Sequence, residues 1–188
     1  MKLSGLEFLA GVLVAVASFL IKEMITGIVS GIRYRKRLAI DIKMTVEAFK
    51  QHYPELEKIK TNLSAPEAKA SYIWDSQSDS WGDLQKNTQH LRPDEATQCA
   101  NFYDVLGRIE EIRKEYNLSV RGMISDQEKK ERLKDSAEAC LSDLQKNYRQ
   151  AIRTGCECMI ELKCHHWFLD VDLSQCKDTL GRMAERTD

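Results

Sequence analysis

The most apolar stretch of the chain is residues 8–21, which read FLAGVLVAVASFLI and contain no charged side chain. Extended back to Leu3, this run forms a helix of roughly 28 Å at about 1.5 Å per residue, which matches one bilayer crossing. Extended forward through MITGIVSGI to Ile32, the helix reaches roughly 42 Å, enough for a tilted span. The sequence therefore predicts a transmembrane segment over residues 1–32.

A basic cluster follows this segment directly and consists of Arg33, Arg35, Lys36 and Arg37. The only positive charges before the apolar run are those of Lys2 and the terminal amino group. Because basic residues are retained on the cytoplasmic side, we expect a single-pass protein of the cell (inner) membrane, with its N-terminus outside and its C-terminal part in the cytoplasm. We also expect the basic cluster to meet anionic lipid headgroups, at about 1 kcal/mol per residue.

Two other interpretations of the apolar run compete with an anchor. Ala15-Val16-Ala17 matches the small-x-small pattern of a signal-peptide cleavage site. Cleavage there would leave only residues 8–14 as the apolar core of a signal peptide, and the positive charge lies on the wrong side for one. A buried core helix is the second alternative, although core helices rarely run so long with so few charges.

Small and polar residues share one side of the predicted span, within about a 100° arc at 100° per residue. We name this set the polar stripe: Glu7, Gly11, Ala15, Ser18, Lys22 and Thr26. Small residues let helix backbones approach, and polar groups facing lipid are unfavourable, so the stripe predicts a homo-oligomer. Whether it packs helices or lines a pore stays open, and a plain anchor with Lys22 reaching the interface is the simpler alternative. Gly27 and Gly31 form a GxxxG motif on a neighbouring side.

Beyond the basic cluster, apolar residues recur every three or four positions and no strand-like alternation occurs. The sequence thus predicts an all-α fold, in which an N-terminal transmembrane helix is followed by a cytoplasmic helical bundle. We divide it into residues 1–32, a juxtamembrane part at 33–63 with the basic cluster and connecting helices, and a helical domain at 64–188. The first predicted helix covers 38–53, and a second restarts at Pro54 and ends at Leu63. A third runs from Pro93 to Tyr116, with Asn117 or Gly122 past its end. A fourth runs from Asp126 to Trp167, with a possible break at Gly155, and the last covers 174–186. Residues 75–92 are predicted to be a loop.

Composition and motifs point away from several classes of function. The formal net charge is −1, with 28 basic and 29 acidic residues, so bulk charge gives no reason to expect binding to duplex nucleic acid. The chain contains no nucleophile elbow, phosphate-binding glycine loop, dinucleotide fingerprint or HExxH motif. We therefore predict no enzyme, no catalytic residue and no cofactor.

A cluster of potential zinc ligands near the C-terminus is the main candidate for a metal site. It comprises Cys156, Cys158, Cys164, His165, His166 and Cys176. Its spacing is poor, because a C-x-C pair on a helix points its thiols about 200° apart and the usual CxxC pairs are missing. Cysteines are also common core residues. We predict no metal site here, and a metalloprotein remains a third reading of the chain.

The polar loop carries a candidate ligand site. An aromatic ring that stacks a base and cations that hold phosphates are what a nucleotide pocket needs. Within a dozen positions the loop supplies Trp81, Lys86, Asn87, His90 and Arg92. A solvated loop with one tryptophan folded onto the core is the alternative.

The overall plan, one apolar segment with a polar stripe joined to a helical domain, resembles the small transmembrane effectors of bacterial anti-phage systems such as type III CRISPR. The resemblance implies a membrane-anchored oligomeric effector in antiviral defence. Its cytoplasmic domain would sense a ligand, a cyclic nucleotide in that family, and couple it to membrane perturbation or pore formation. The resemblance carries over no binding residues. The competing class is a non-conducting, membrane-tethered scaffold or regulator that binds a protein partner.

Overall fold

The computed structural model describes residues 5–64, 86–125, 130–164 and 173–184, with side chains in the first helix from residue 13 onward. Within these residues the chain is helical and contains no strand, which confirms the predicted all-α class. The elements are α1 (Gly5–Ser64), a short 3₁₀ turn η1 (Thr88–His90), α2 (Pro93–Ser125), α3 (Lys130–Cys164) and α4 (Ser174–Ala184). Most of the predicted loop at 75–92 lies outside the described residues.

Helix α3 is the centre of the fold, since α2, the second half of α1 and α4 all pack against it. The core comprises apolar side chains at helical spacing, among them Ile42 and Val46 of α1, Phe102 and Tyr116 of α2, and Leu141 and Leu144 of α3. Aromatic contacts join the elements, with the rings of Phe49 and Tyr148 centred 4.6 Å apart. Residues 33–63, set apart in the sequence as connecting helices, thus supply one wall of a single core.

The interruption expected at Pro54 does not occur, because α1 continues unbroken from Gly5 to Ser64. Proline lacks an N–H and removes one hydrogen bond to the preceding turn, a cost of about 3 kcal/mol in a helix interior. Here the neighbouring turns are fixed by Phe49 and Leu56, which are buried on either side of an exposed Pro54. Tertiary packing therefore holds the helix together through this residue.

Two other expected boundaries are also wrong. Helix α2 runs past Asn117 and Gly122 to Ser125, and Gly122 lies inside it against Leu133 of α3. Helix α3 passes through Gly155 without a break and extends to Cys164. The starts expected at Pro93 and Ser174 are confirmed. The expected cap at Asp126 and the expected end at Trp167 lie outside the described residues.

Gly155 is required by close packing. A Cβ at this position would overlap Cγ2 of Val46 and lie 2.9 Å from Cε2 of Phe102. Three helices therefore meet at Gly155, which lets the backbone of α3 approach both neighbours.

We expect Gly155→Ala to destabilise the fold by about 1–3 kcal/mol, because overpacking outweighs the gain in helix propensity. Gly107→Ala is the matched control, since Gly107 is an exposed helical glycine with open space around it. That control should stabilise by about 0.5–1 kcal/mol. Denaturation of the full chain in detergent, followed by circular dichroism, measures both. Equal stabilisation by the two substitutions would contradict the packing at Gly155.

Candidate functional site

The first half of α1 projects beyond the core with its apolar side chains exposed. An 18-residue window of this helix has a mean hydropathy of 1.8, and none of that window is buried. By length and composition α1 could span a membrane, and its apolar residues are not covered by the described parts of the chain. Leu13, Phe19 and Met24 are typical, each more than half exposed.

The polar stripe and the core-facing residues lie on different sides of α1. At 100° per residue, the centre of the stripe is about 160° from the centre of the face that buries Leu38, Ile42 and Phe49. Ala15, Ser18, Lys22 and Thr26 are exposed. Glu7 and Gly11 precede residue 13, where the described side chains of α1 begin. The hydroxyl of Thr26 donates to the Lys22 carbonyl at 2.9 Å, which satisfies it within the helix.

Further along α1, two large apolar side chains lie on the same side of the helix as the stripe. Ile40 and Met44 are 56% and 68% exposed, and by the helical period they fall within the arc of the stripe. We name the polar stripe together with Ile40 and Met44 the outer face of α1. An open depression of about 370 Å³ also lies on it, lined by Ile25, Thr26, Val29, Ser30 and Arg33.

The GxxxG motif is not part of the outer face. Gly27 has open space around it, whereas Gly31 is buried beneath Arg35 and His90. A Cβ on Gly31 would lie 3.3 Å from Nη1 of Arg35 and 3.9 Å from Nδ1 of His90. Gly31 therefore serves the packing of this chain on itself.

The basic cluster divides into two groups. Arg33, Lys36 and Arg37 are exposed. The side chain of Arg35 is only 14% exposed, and its Nε lies 3.2 Å from Oε2 of Glu95. The geometry therefore assigns Arg35 to an ion pair with α2 and leaves the expected headgroup role to the three exposed residues.

Glu95 is a buried carboxylate, with its side chain 0% exposed, and it has two roles. Besides pairing with Arg35, its Oε2 accepts a hydrogen bond from the backbone N–H of Arg92 at 2.8 Å. Glu95 is the third residue of α2, so this bond is the glutamate half of a capping box. Burial of a charge is costly unless it is paired and hydrogen-bonded, and here it is both. A second link between the same helices runs from the hydroxyl of Tyr103 to Oδ2 of Asp41 at 3.2 Å.

Two of the expected ligand residues, His90 and Arg92, lie close to this ion pair. His90 is half-buried, and its ring is centred 6.0 Å from that of Tyr34 on α1. Lys86 and Arg92 are exposed and Asn87 is half-buried at the start of η1. Trp81 lies outside the described residues. Of the described members, His90 and Arg92 have contacts near the start of the core-facing part of α1, through Gly31 and Glu95 respectively.

The described members of the potential zinc-ligand cluster do not converge. Cys156 contacts Cys176 of α4, whereas the thiol of Cys158 lies 3.0 Å from that of Cys99 on α2. Among the residues that the structure describes, no group of three potential ligands could hold a metal ion. His165 and His166 lie outside them, as does the side chain of Cys164.

Sequence reasoning missed the Arg35–Glu95 pair and the two cysteine pairs. Pro93-Asp94-Glu95 marked the start of α2, and a glutamate at the third position suggested a cap. Its partner stands 60 positions earlier. No local pattern indicates a contact over that distance, and the same holds for cysteines 59 positions apart.

No protein-family model, curated protein or solved structure matches the chain.

We expect Glu95→Ala to destabilise the fold by about 3–5 kcal/mol, because it removes a helix cap and leaves the guanidinium of Arg35 in a mostly buried place without its partner. The double variant Glu95→Ala with Arg35→Met should recover part of that loss, since no unpaired charge remains. Urea unfolding of the full chain in detergent measures the double-mutant cycle. Strict additivity of the two substitutions would show that the pair does not couple α1 to α2.

Proposed function

We propose that this protein is a membrane-anchored effector that self-associates through the outer face of α1 and is controlled by a small anionic ligand on a cytoplasmic helical domain. The observation that carries the proposal is the continuity of α1. One unbroken helix presents the polar stripe on one side and, further along, buries its opposite side in the core.

The exposed apolar surface supports membrane insertion. Residues 13–29 are exposed along their whole length. Keeping their apolar surface in water costs about 25 cal/mol of free energy per Å². A bilayer removes that cost. The exposed Arg33, Lys36 and Arg37 follow immediately, which supports an orientation with the folded domain in the cytoplasm.

The direction of the outer face supports self-association. Because it points away from α2 and α3, a second copy can pack along it without displacing the folded domain. Ala15 and Ser18 allow close backbone approach, and Ile40 with Met44 would extend the contact below the headgroups. The depression beside Thr26 and Val29 offers space for side chains of a neighbouring helix. The same arrangement, with more copies, would place Lys22 and Glu7 around a central lumen.

The position of the candidate ligand residues supports control of that assembly. His90 and Arg92 lie near Gly31 and the Arg35–Glu95 pair, and Lys86 precedes them by a few positions in the sequence. An anion of the nucleotide class, including a cyclic nucleotide, offers phosphates for these groups and a base for stacking. A ligand that binds one arrangement of α1 more tightly shifts the equilibrium toward it by that difference in affinity.

We expect Ala15→Leu with Ser18→Leu to weaken self-association by at least tenfold in dissociation constant, because bulky residues separate the helices along the stripe. The measurement is the mass of the detergent-solubilised full chain by analytical ultracentrifugation across a dilution series.

Gly27→Leu is the control, as it adds a bulky side chain on the side of α1 away from the stripe, where a Cβ meets open space. It should leave the mass unchanged. Loss of association by Gly27→Leu alone would assign the contact to the other side and contradict the outer face. A wild-type chain that is monomeric at every concentration would contradict self-association altogether.

A leakage assay tests the membrane step. Vesicles containing the full chain should release a trapped dye, and Lys22→Leu with Glu7→Leu should change that release by at least fivefold if these charges line a lumen. Leu13→Ile, on the opposite side of α1, should have no effect. Association without leakage would favour the non-conducting scaffold.

The ligand step is tested in the same vesicles with a panel of cyclic mono- and dinucleotides and cyclic oligoadenylates. They are added on the side of the membrane that carries the folded domain. At least one member should increase release, and Lys86→Ala with Arg92→Ala should remove the increment while leaving basal release intact. No response to any member would contradict control by this ligand class and leave self-association standing.

A further inference from the structure

Two adjacent charged residues interrupt the apolar part of α1. Lys22 and Glu23 lie between the apolar run 8–21 and the largely apolar run 24–32, and both side chains are exposed. Lys22 lies roughly 16 Å before Arg33 along the helix, at about 1.5 Å per residue. With Arg33 at the headgroups, as proposed, both charges lie near the middle of a hydrocarbon core about 30 Å thick.

Neither charge has a partner on its own helix. Adjacent residues of a helix diverge by 100°, so Lys22 and Glu23 of one copy do not face each other. The positions three and four residues away from them, 18–20 and 25–27, carry no charge. Among the described residues, neither side chain forms an ion pair or a hydrogen bond.

Hydrogen-bond donors for the Glu23 carboxylate are also missing from the neighbouring turns of α1. Three and four residues away from it, Thr26 has the only polar side chain, and its hydroxyl donates to the Lys22 carbonyl at 2.9 Å. An ionised side chain in hydrocarbon is unfavourable unless it is paired and hydrogen-bonded. Both charges therefore need a partner from outside their own copy.

We propose that Lys22 of one copy pairs with Glu23 of its neighbour inside the bilayer, and that these contacts fix the register of the assembly. The partner is a second copy of this chain, because it carries at the same depth the opposite charge for each residue. This inference rests on the proposed self-association through the outer face of α1.

Helical geometry brings the two residues together between parallel copies. Lys22 lies near the centre of the outer face, and Glu23 lies about 60° beyond Thr26 at the edge of that face. Charges at the edge of a helix contact reach across to the facing helix, as those at the e and g positions of coiled coils do. The orientation set by the basic cluster is the same for every copy, so the copies are parallel.

The pair selects one register of the assembly. Lys22 and Glu23 differ in height by only about 1.5 Å, so copies at equal depth bring the opposite charges level. A shift of one copy by one turn, about 5.4 Å, would separate them and leave both unpaired in hydrocarbon. Polar contacts in an apolar interface act in this way elsewhere, as they contribute more to register than to affinity.

Charge reversal tests the contact. Lys22→Glu and Glu23→Lys should each weaken self-association by at least tenfold in dissociation constant, because like charges then meet in a medium of low dielectric constant. The double variant Lys22→Glu with Glu23→Lys should return to within about threefold of the wild type, since the opposite charges are restored. The measurement is the mass of the detergent-solubilised full chain by analytical ultracentrifugation across a dilution series, with helicity followed by circular dichroism.

An equal mixture of the two single variants separates pairing between copies from damage within one copy. The Lys22→Glu chain carries two acidic side chains at these positions and the Glu23→Lys chain carries two basic ones. Each should associate poorly with itself, whereas the mixture offers opposite charges at every contact between unlike chains. We expect the mixture to associate as the wild type does, and an affinity tag on one variant to retain the other.

Neutral variants extend the test to the case in which a reversed charge prevents folding. Lys22→Gln and Glu23→Gln each leave one charge unpaired and should weaken association, and the double variant should recover part of the loss. Glu57→Lys is the matched control for Glu23→Lys, since Glu57 is an exposed glutamate of the same helix beyond the basic cluster. It should leave the dissociation constant unchanged.

The proposal is overturned if the single reversals associate as the wild type does, or if neither the charge swap nor the mixture recovers association. Strict additivity of the two glutamine substitutions would overturn it as well. In each of these cases the wild-type chain still self-associates, and the proposed function stands. A wild-type chain that is monomeric at every concentration overturns both the pairing and the proposed self-association.

Discussion

Burial of the second half of α1 against α3 is the interaction on which the rest of the structure depends. A helix has a fixed rotation per residue, so burying Ile42, Val46 and Phe49 sets the direction of every side chain in the same helix. The exposed first half therefore cannot turn independently of the core. Because α1 is continuous through Pro54 and through residues 30–37, the polar stripe is held on the side away from the folded domain. A flexible joint after Ile32 would remove this relation.

The Arg35–Glu95 pair strengthens that relation at the place where it matters most. It lies at the first turns of α1 that contact the domain, and it uses a carboxylate that already caps α2. A buried ion pair contributes little net stability compared with apolar packing, but a mismatched one is costly. The pair therefore selects one position of α1 along α2 and disfavours sliding or rotation. His90 lies close to this pair, so an anion bound there, as we propose, would act on the same contact.

The sequence was sufficient for features that depend on local patterns. The apolar run at 8–21 predicted a helix long enough to cross a membrane, Pro93 with its acidic neighbours marked the start of α2, and the periodic stripe followed from helical spacing. It failed where distant residues decide the outcome. Pro54 and Gly155 looked like breaks because local propensity disfavours them, whereas packing against other helices keeps both within helices. The ion pair and the Cys99–Cys158 pair join positions about sixty residues apart, which no local pattern reveals.

Charge on the outer face explains why an assembly of this kind would need a trigger. In the proposed parallel arrangement each copy would bring Lys22 and Arg33 close to those of its neighbours, where like charges repel, and away from the aqueous phase this repulsion is screened little. Headgroup phosphates can neutralise Arg33 at the interface, but Lys22 lies about sixteen ångströms further along the helix and meets no such anion. In the proposed assembly, packing by small residues, together with the proposed Lys22–Glu23 contacts, would oppose this repulsion. An equilibrium balanced in this way would respond to a modest difference in ligand affinity at the far end of the same helix.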